Sequence, residues 1–253
     1  MNSSLVSVVI VTHNNAKTIE SCVASVKKQG MRDVVIVDNR STDSTTAKIK
    51  ELGVPVIMND ANKGFAHAVN QGVAHTSHDI VILLNPDAIL VGPIETALKI
   101  FKPSKVGVVG LSMHNKQGEP EQRAFGSKPT LLRLASRKLF TKTPGKLGWV
   151  SAGACLINKN VFWAVGGFDD GFFLYWEDVD FCTRVISAGY EVTRATACKV
   201  EHLKGHSMSD RKIKAQIFDK SADRYFYKHY PYYIWLFQHI FRHFYRLIWP
   251  YSQ

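Results

Sequence analysis

The sequence predicts an α/β fold in which a mostly parallel central sheet carries helices on both faces. The first observation is that short β-branched runs alternate with helical stretches through the first hundred residues, the pattern of parallel strands joined by right-handed crossovers. The second is size and composition: 253 residues, 45% hydrophobic and 21% charged, suffice for a hydrophobic core. The same composition excludes disordered, collagenous and coiled-coil proteins.

Each predicted element follows from its local pattern. The predicted strands are Val6–Thr12 and Val34–Asp38, with weaker strands at Pro55–Met58 and Ile80–Leu84. The predicted helices lie near residues 16–29, 42–52 and 63–76, and a further helical pattern runs from Phe181 to Ser187 and ends at Gly189. Because ligands of such sheets bind beyond the carboxyl ends of the strands, the residues that follow each strand are the candidate site.

A C-terminal amphipathic helix is also predicted. Its apolar residues recur at three- and four-residue steps, at Ile234, Phe237, Phe241, Phe244 and Ile248. Polar residues take the other positions, at His239, Arg242, His243 and Arg246. Aromatic side chains favour the level of lipid headgroups and basic ones favour anionic lipid, so we expect this helix to lie on a membrane surface. A helix docked on the core, or a dimer contact, is the alternative.

The net charge of +11 is unevenly distributed. Residues 99–148 carry +9 and residues 224–253 carry +4, which leaves the rest of the chain slightly acidic. This pattern predicts that the protein has two surfaces that face anions. We expect an anionic membrane surface to be one of the partners. The pattern argues against a uniformly basic nucleic-acid-binding protein, so no nucleic-acid partner is expected.

Polar clusters follow three of the predicted strands. They are Thr12-His13-Asn14, the stretch Asp38–Asp43, and Asn85-Pro86-Asp87. Each alone is explained by a turn or a helix N-cap, but three at one sheet edge indicate a nucleotide site. No G-x-G-x-x-G and no Walker sequence is present, so a glycine loop does not hold the phosphates.

Acidic residues at two places in the chain are candidates for metal binding and for catalysis. Asp87 follows a strand across a proline turn and suits Mg²⁺ or Mn²⁺, which prefer oxygen ligands and are often shared with substrate phosphates. Glu177 and Asp178 lie among aromatic residues at the start of a predicted helix, a setting that raises a carboxylate pKa and suits a general base. The alternative is that they only cap the helix. Asp180 and Arg184, four residues apart, predict a structural ion pair.

The compartment is predicted from three features. The cysteines Cys22, Cys155, Cys182 and Cys198 are widely spaced and are expected to be buried free thiols in a reducing compartment. The N-terminus lacks a basic region before its apolar run, so no signal peptide is expected. No uninterrupted run of 18 apolar residues occurs, so no membrane-spanning helix is expected.

Seven short motifs in order resemble family 2 glycosyltransferases of the GT-A fold. The motifs are Val8–Asn14, Val37–Asp43, Asn62–Asn70, Leu84–Asp87, Gly166–Asp169, Trp176–Asp180, and His202 with Ser207. They extend over about residues 5–207 and are most similar to rhamnosyltransferase-like enzymes of bacterial surface-polysaccharide assembly. The resemblance implies a glycosyltransferase domain over 1–223, with the nucleotide sugar in 1–110, the acceptor side in 111–223, and a tail of 224–253.

The resemblance also implies roles for individual residues. The implied nucleotide-binding residues are Thr12, His13, Asp38, Asn62, Gly64 and Asn85. Asp87 would hold the metal, Mg²⁺ or Mn²⁺, with His202 close by, and Asp178 would be the catalytic base with Glu177 beside it. Asn85 stands where many members have an aspartate, and His13 stands where a tyrosine is common.

The implied reaction is an inverting transfer of a sugar from a nucleotide-diphosphate sugar, with dTDP-rhamnose favoured, to a hydroxyl of a lipid-linked glycan. The implied location is cytoplasmic, on the inner face of the plasma membrane. Two alternatives remain open at this level: a sugar nucleotidyltransferase, and a catalytically inactive protein of the same fold that binds glycans or nucleic acid.

Overall fold

The computed structural model of the protein describes residues 3–101, 105–121, 124–130, 146–203 and 210–248. Its strands are β1 (Val6–Thr12), β2 (Asp33–Asp38), β3 (Val56–Met58), β4 (Ile80–Leu84), β5 (Ala88–Leu90), β6 (Val106–His114), β7 (Phe125–Gly126), β8 (Trp149–Val150), β9 (Ala154–Asn158) and β10 (Glu191–His202). Its helices are α1 (Ile19–Lys28), α2 (Thr45–Glu51), α3 (Phe65–Ala74), α4 (Ile94–Leu98), α5 (Lys159–Ala164), α6 (Glu177–Ser187), α7 (Arg211–His229) and α8 (Tyr232–Ile248).

Eight strands form one sheet in the order β3-β2-β1-β4-β9-β6-β10-β5. Strands β3, β2, β1 and β4 are mutually parallel, and β6 is parallel to β10. Strands β9 and β5 run antiparallel to their neighbours. The prediction of an α/β fold with a mostly parallel sheet is confirmed, and the antiparallel strands are additions that the sequence pattern did not indicate.

The core has two layers because alternate residues of each strand point to opposite faces of the sheet. On one face Val8 and Ile10 pack with residues of α1, α2 and α4. On the other face Val9 and Val11 pack with residues of α3, α5, α6 and α7. Helices therefore cover both faces, as the sequence predicts.

The four predicted N-terminal strands and three helices are all present, but the helices are shorter than predicted. The predicted helix at 42–52 begins at Thr45. In the loop before it, the side chain of Asn14 accepts hydrogen bonds from the backbone N–H groups of Thr42 and Asp43.

Helix α7 is continuous across the predicted boundary between residues 223 and 224, and its Ala222, Tyr225 and Phe226 are fully buried in the core.

Some residues named in the predictions lie outside the described residues. They are six of the eleven basic residues in 99–148, His206, Ser207 and the side chains of His243, Arg246 and Ile248.

Two further predictions concern the cysteines and the membrane. All four cysteines are buried free thiols, as predicted. Within the described residues, none of the helices combines the length and the hydrophobicity that a membrane-spanning segment needs.

Candidate active site

The polar clusters predicted from the sequence share one edge of the sheet. Strands β1, β2 and β4 are parallel, and Thr12 at the end of β1 lies opposite Asp38 at the end of β2. Asn85 follows β4 at the same edge. Strand β10 ends there as well and brings His202 opposite Ala88. The fold thus collects at one edge residues that lie far apart in the chain.

The loops after β1 and β2 are tied to each other. The ring of His13 is exposed, and its Nδ1 lies 2.9 Å from the carbonyl oxygen of Asn39. Asn14 has a left-handed backbone (φ +59°), and its N–H donates to the hydroxyl of Ser41 at 2.9 Å. Thr12 is buried beneath this loop and donates to the Asn15 side chain at 3.2 Å. These hydrogen bonds join the two loops into one rim at the edge of the sheet.

Asp38 organises the loop that follows it. Its carboxylate is fully buried and accepts hydrogen bonds from the N–H and the hydroxyl of Ser41. Its neighbour Asn39, which the sequence analysis did not select, donates from Nδ2 to the carbonyl oxygen of Gly64 at 3.0 Å. Asn39 therefore joins the β2 loop to the start of α3.

Gly64 joins this edge of the sheet to the aromatic segment before α6. Its φ is +94°, a left-handed conformation that favours glycine. The next residue, Phe65, donates its N–H to the carbonyl oxygen of Phe173 at 2.7 Å. Asn62 is exposed, and its side chain accepts the N–H of Gly64 at 3.0 Å. A side chain at position 64 has no room, because its Cβ would lie 2.5 Å from the Phe173 carbonyl oxygen.

We expect Gly64→Ala to lower the free energy of unfolding. A strained backbone conformation alone costs about 1–3 kcal/mol, and the loss should be larger here because the added methyl group also collides with the backbone of Phe173. Gly189→Ala is the matched control: its φ is +87° and nothing lies within 4 Å of an added Cβ. The measurement is urea denaturation of both variants. Equal losses in the two would contradict the close contact at Gly64.

Asp87 and His202 are adjacent, and a third residue holds the histidine. Asp87 Oδ1 lies 3.2 Å from His202 Nε2, and Glu121 Oε1 lies 2.9 Å from His202 Nδ1. Hydrogen bonds to these two carboxylates, that to Asp87 first, raise the pKa of His202 to about 10. Among the described residues, no group of three or more His, Cys, Asp and Glu side chains forms a complete metal site.

The turn before α6 directs two carboxylates inward. Tyr175 and Trp176 both have left-handed backbones (φ +68°), which is uncommon for residues other than glycine. The following Glu177 is only 5% exposed, and its Oε2 has no hydrogen-bond partner among the described residues. Burial, and then the neighbouring charge of Asp178, raise the pKa of Glu177 well above its usual range.

We expect Glu177→Gln to stabilise the protein in mildly alkaline buffer. The folded-state pKa of Glu177 lies above its unfolded value of about 4.3, so the wild type loses stability as the pH rises from that value through the folded-state pKa. The glutamine variant lacks this loss. Its Tm should exceed that of the wild type at alkaline pH, and the difference should shrink in acid buffer. A difference in Tm that does not change with pH would contradict the buried, protonated state of Glu177.

Asp178 and Asp180 lie in the same helical turn but differ in environment. Asp178 is partly accessible; burial of its carboxyl raises the pKa to about 6, although the N–H groups of Ala152 (3.3 Å) and Val179 (2.8 Å) favour the charged form. Asp180 is fully buried; burial would raise its pKa, but hydrogen bonds and charges from His229, Arg184 and Lys228 lower it. Asp180 is thus a structural anion, paired with Arg184 as predicted.

The segment 151–153 connects the two acidic groups. The Ala152 N–H donates to Asp178, and the Gly153 carbonyl oxygen accepts the N–H of Asn85 at 2.8 Å, two residues before Asp87. This contact exists because β9 is antiparallel to β4, so the amino end of β9 lies at the carboxyl edge of the sheet. No sequence motif marks Ala152 or Glu121, whereas Asn39 stands beside the selected Asp38.

The mostly parallel sheet with helices on both faces has the GT-A fold, and solved glycosyltransferases share it. The mannosyltransferase PcManGT of Pyrobaculum calidifontis, solved with GDP-Man and Mn²⁺, matches with a TM-score of 0.64 and 19% identity over 88% of this chain and 63% of that chain. GalNAc-T7, solved with UDP, GalNAc and Mn²⁺, matches with a TM-score of 0.62 and 17% identity over 87% of this chain and 49% of that chain.

The chain belongs to glycosyl transferase family 2, whose profile matches residues 7–166. A second profile, described as the N-terminal domain of galactosyltransferase, matches residues 136–207. The N-acetylglucosaminyl-diphospho-decaprenol L-rhamnosyltransferase of Mycobacterium tuberculosis is 27% identical over 79% of this chain and 76% of the relative. The dTDP-rhamnosyl transferase RfbF of Shigella flexneri is 22% identical over 85% of this chain and 72% of the relative.

Proposed function

We propose that this family 2 glycosyltransferase moves rhamnose from dTDP-rhamnose to a hydroxyl of a lipid-linked glycan, with inversion, in the assembly of a cell-surface polysaccharide. The observation that carries the proposal is the position of Asp178. Asp178 is a partly buried residue whose carboxylate is hydrogen-bonded to the segment 151–153, and this segment is also bonded to Asn85, two residues before Asp87. The proposed base, Asp178, and the strand end that carries Asp87 are therefore bonded to the same short segment of backbone.

Asp178 is the proposed catalytic base. With a pKa of about 6 it is mostly ionised at neutral pH and still basic enough to accept a proton from the acceptor hydroxyl. As the proton moves to Asp178, the acceptor oxygen attacks the anomeric carbon and the bond to the nucleoside diphosphate breaks. A single displacement of this kind inverts the anomeric configuration. Burial and the charge of Asp178 raise the pKa of Glu177, which favours its neutral form and leaves Asp178 as the charged member of the pair.

Asp87 and His202 are the proposed metal ligands. A carboxylate oxygen and an imidazole nitrogen are donors that Mn²⁺ accepts, and these two adjacent side chains would hold one cation together with the donor's phosphates. Glu121 accepts the Nδ1–H of His202, which orients Nε2 toward Asp87. When bound, the cation would offset the negative charge on the departing diphosphate.

The nucleotide would lie on the rim formed by the β1 and β2 loops. The exposed ring of His13 is available to stack on the base, and Asn62, Gly64 and Asn85 line the same edge. Asp38 is buried and bonded to Ser41, so recognition of a ribose hydroxyl by Asp38 requires the exchange of one of these bonds. Thr12 lies beneath the rim and supports it through Asn15.

The sugar and the acceptor are proposed from the relatives. Two relatives carry rhamnosyl transfer in their names, one of them with a decaprenol-linked acceptor. A lipid-linked acceptor would require the enzyme to work as a peripheral protein on the inner face of the plasma membrane.

The proposal is tested by a donor-hydrolysis screen across dTDP-, UDP- and GDP-sugars with Mn²⁺ or Mg²⁺. We expect dTDP-rhamnose to be hydrolysed fastest, and NMR of the transfer product to show the anomeric configuration opposite to that of the donor. Faster hydrolysis of another donor would replace the sugar assignment, and a retained configuration would overturn the inverting mechanism. Pyrophosphate release from dTTP and a sugar phosphate would instead support a nucleotidyltransferase.

A further inference from the structure

Helix α8 packs against the protein through Ile234 and Trp235 near its start and through polar side chains further along. Gln238 is only 2% exposed and donates from Nε2 to Asp223 Oδ1 of α7 at 2.9 Å. Arg242 Nη2 donates to the same oxygen at 2.7 Å, and His239 Nδ1 lies 3.0 Å from Asp223 Oδ2. Arg242 also donates to the carbonyl oxygen of Asp219 at 3.1 Å. Charge-assisted hydrogen bonds, rather than apolar contacts, thus hold these residues of α8 to α7.

The opposite side of α8 is apolar and exposed. We call it the α8 apolar face, and it consists of Tyr233, Leu236, Phe237, Ile240, Phe241 and Phe244. These positions follow the three- and four-residue spacing of one helical stripe. Phe237, Ile240 and Phe244 are 58–61% exposed. Soluble monomers rarely expose a contiguous apolar surface of this kind, so the face marks an interaction site.

We infer that the α8 apolar face docks on an anionic lipid bilayer, with α8 lying in the plane of the interface. The inference rests on the proposed function in one respect: a lipid-linked acceptor would be presented at that surface. Phenylalanine and tyrosine side chains at one level of a surface helix match the boundary between headgroups and acyl chains.

Charge favours a bilayer over a second copy of the chain. Residues 210–253 contain eight Lys or Arg and three Asp, a net charge of +5. Arg211, Lys212 and Lys220 are exposed on α7, whereas Asp219 and Asp223 face Arg242. Two such surfaces would repel each other in a dimer, while an anionic bilayer attracts each basic residue near it.

The docking surface is mechanically connected to the candidate base. Asp223 on α7 holds α8, and Lys228 and His229 at the end of α7 bond Asp180 in the first turn of α6, two residues after Asp178. A bilayer bound to the α8 apolar face would therefore set the orientation of the catalytic edge relative to the membrane.

The test is sedimentation of the full chain with vesicles, without donor. One set is phosphatidylcholine and the other contains phosphatidylglycerol as well. We expect the wild type to bind the anionic vesicles and to be released by high salt. The double variant Phe237→Ser, Phe244→Ser should lose at least about tenfold in partitioning, because each phenylalanine contributes buried apolar area. The matched control is Leu5→Ser, Val91→Ser, two apolar residues that are 59% and 58% exposed elsewhere on the protein.

Equal partitioning of the wild type and the α8 double variant would overturn the inference, as would absence of wild-type binding to anionic vesicles. A wild-type dimer in sedimentation velocity that the α8 variant dissolves would also overturn it and identify a second copy as the occupant. Donor hydrolysis measured without vesicles separates this result from the proposed function. The α8 variant should hydrolyse the donor at the wild-type rate. If the wild type binds vesicles but does not hydrolyse any donor, the result would contradict the proposed enzyme activity and leave the membrane inference intact.

Discussion

Asp178→Asn should lower kcat by at least about 10²-fold while donor binding is retained, because a positioned general base contributes about 10²–10⁴ in rate. The asparagine keeps the size of the side chain, and its carbonyl oxygen can still accept one of the two backbone N–H bonds from Ala152 and Val179. It cannot accept a proton from the acceptor hydroxyl. The measurements are steady-state turnover with a soluble acceptor and calorimetric titration with the donor.

The pH profile provides a second readout of the same residue. The base must be ionised, so kcat/KM of the wild type should rise with pH through about 6 and then level off. The residual activity of the variant should lack this rise. Asp79→Asn is the control, because Asp79 is an exposed aspartate beside the amino end of β4, at the opposite edge of the sheet. Near-normal turnover of Asp178→Asn would remove Asp178 from the base role.

Asp87→Ala should abolish the part of donor affinity that depends on Mn²⁺. A bound cation stabilises charge on phosphoryl oxygens by several kcal/mol, so loss of the carboxylate that would hold it should weaken Mn²⁺-dependent donor binding on the order of 10²-fold or more. The measurement is calorimetric titration of the donor with Mn²⁺ and with chelator. In the wild type the two titrations should differ, and in the variant they should agree.

Asp79→Ala is the control for the loss of one negative charge. Asp79 lies at the opposite edge of the sheet, so this variant should keep the Mn²⁺-dependent donor affinity. A variant at Asp87 that still binds the donor more tightly with Mn²⁺ would exclude Asp87 as a ligand. A wild type whose donor affinity ignores Mn²⁺ would overturn the metal assignment for both Asp87 and His202.

The fold and the location of the site were predictable from local signals. Alternating strands and helices indicate the parallel sheet, and parallel strands bring Thr12, Asp38 and Asn85 to one edge. The contact between Ala152 and Asp178 was not predictable, because it depends on the antiparallel insertion of β9 between β4 and β6. Strand order of this kind is set by long-range packing, which leaves no periodic pattern in the sequence. Glu121 was missed for the same reason.

The C-terminal helix illustrates a different limit. Its periodicity predicts the helix, which is present, and a stripe of apolar residues, of which Phe237, Phe241 and Phe244 are exposed. Ile234 instead packs on the core, and the side chain of Ile248 lies outside the described residues. Periodicity does not tell which side faces the protein. Here the position of Asp223 on α7 decides, because Gln238, His239 and Arg242 all contact it. The helix docks on the protein, as the alternative to a membrane helix predicted, and it also presents an apolar face to the outside.

The bonds from Lys228 and His229 to the buried Asp180 restrict how this enzyme can be recombined with its relatives. A chimaera that joins its N-terminal half to a foreign C-terminus would leave Asp180 with Arg184 alone, and a buried carboxylate without its full set of cations destabilises the helix on which it lies. The C-terminal segment is therefore exchangeable only together with α6, and exchange points in engineered hybrids belong before Trp176 rather than at the end of the matched family region.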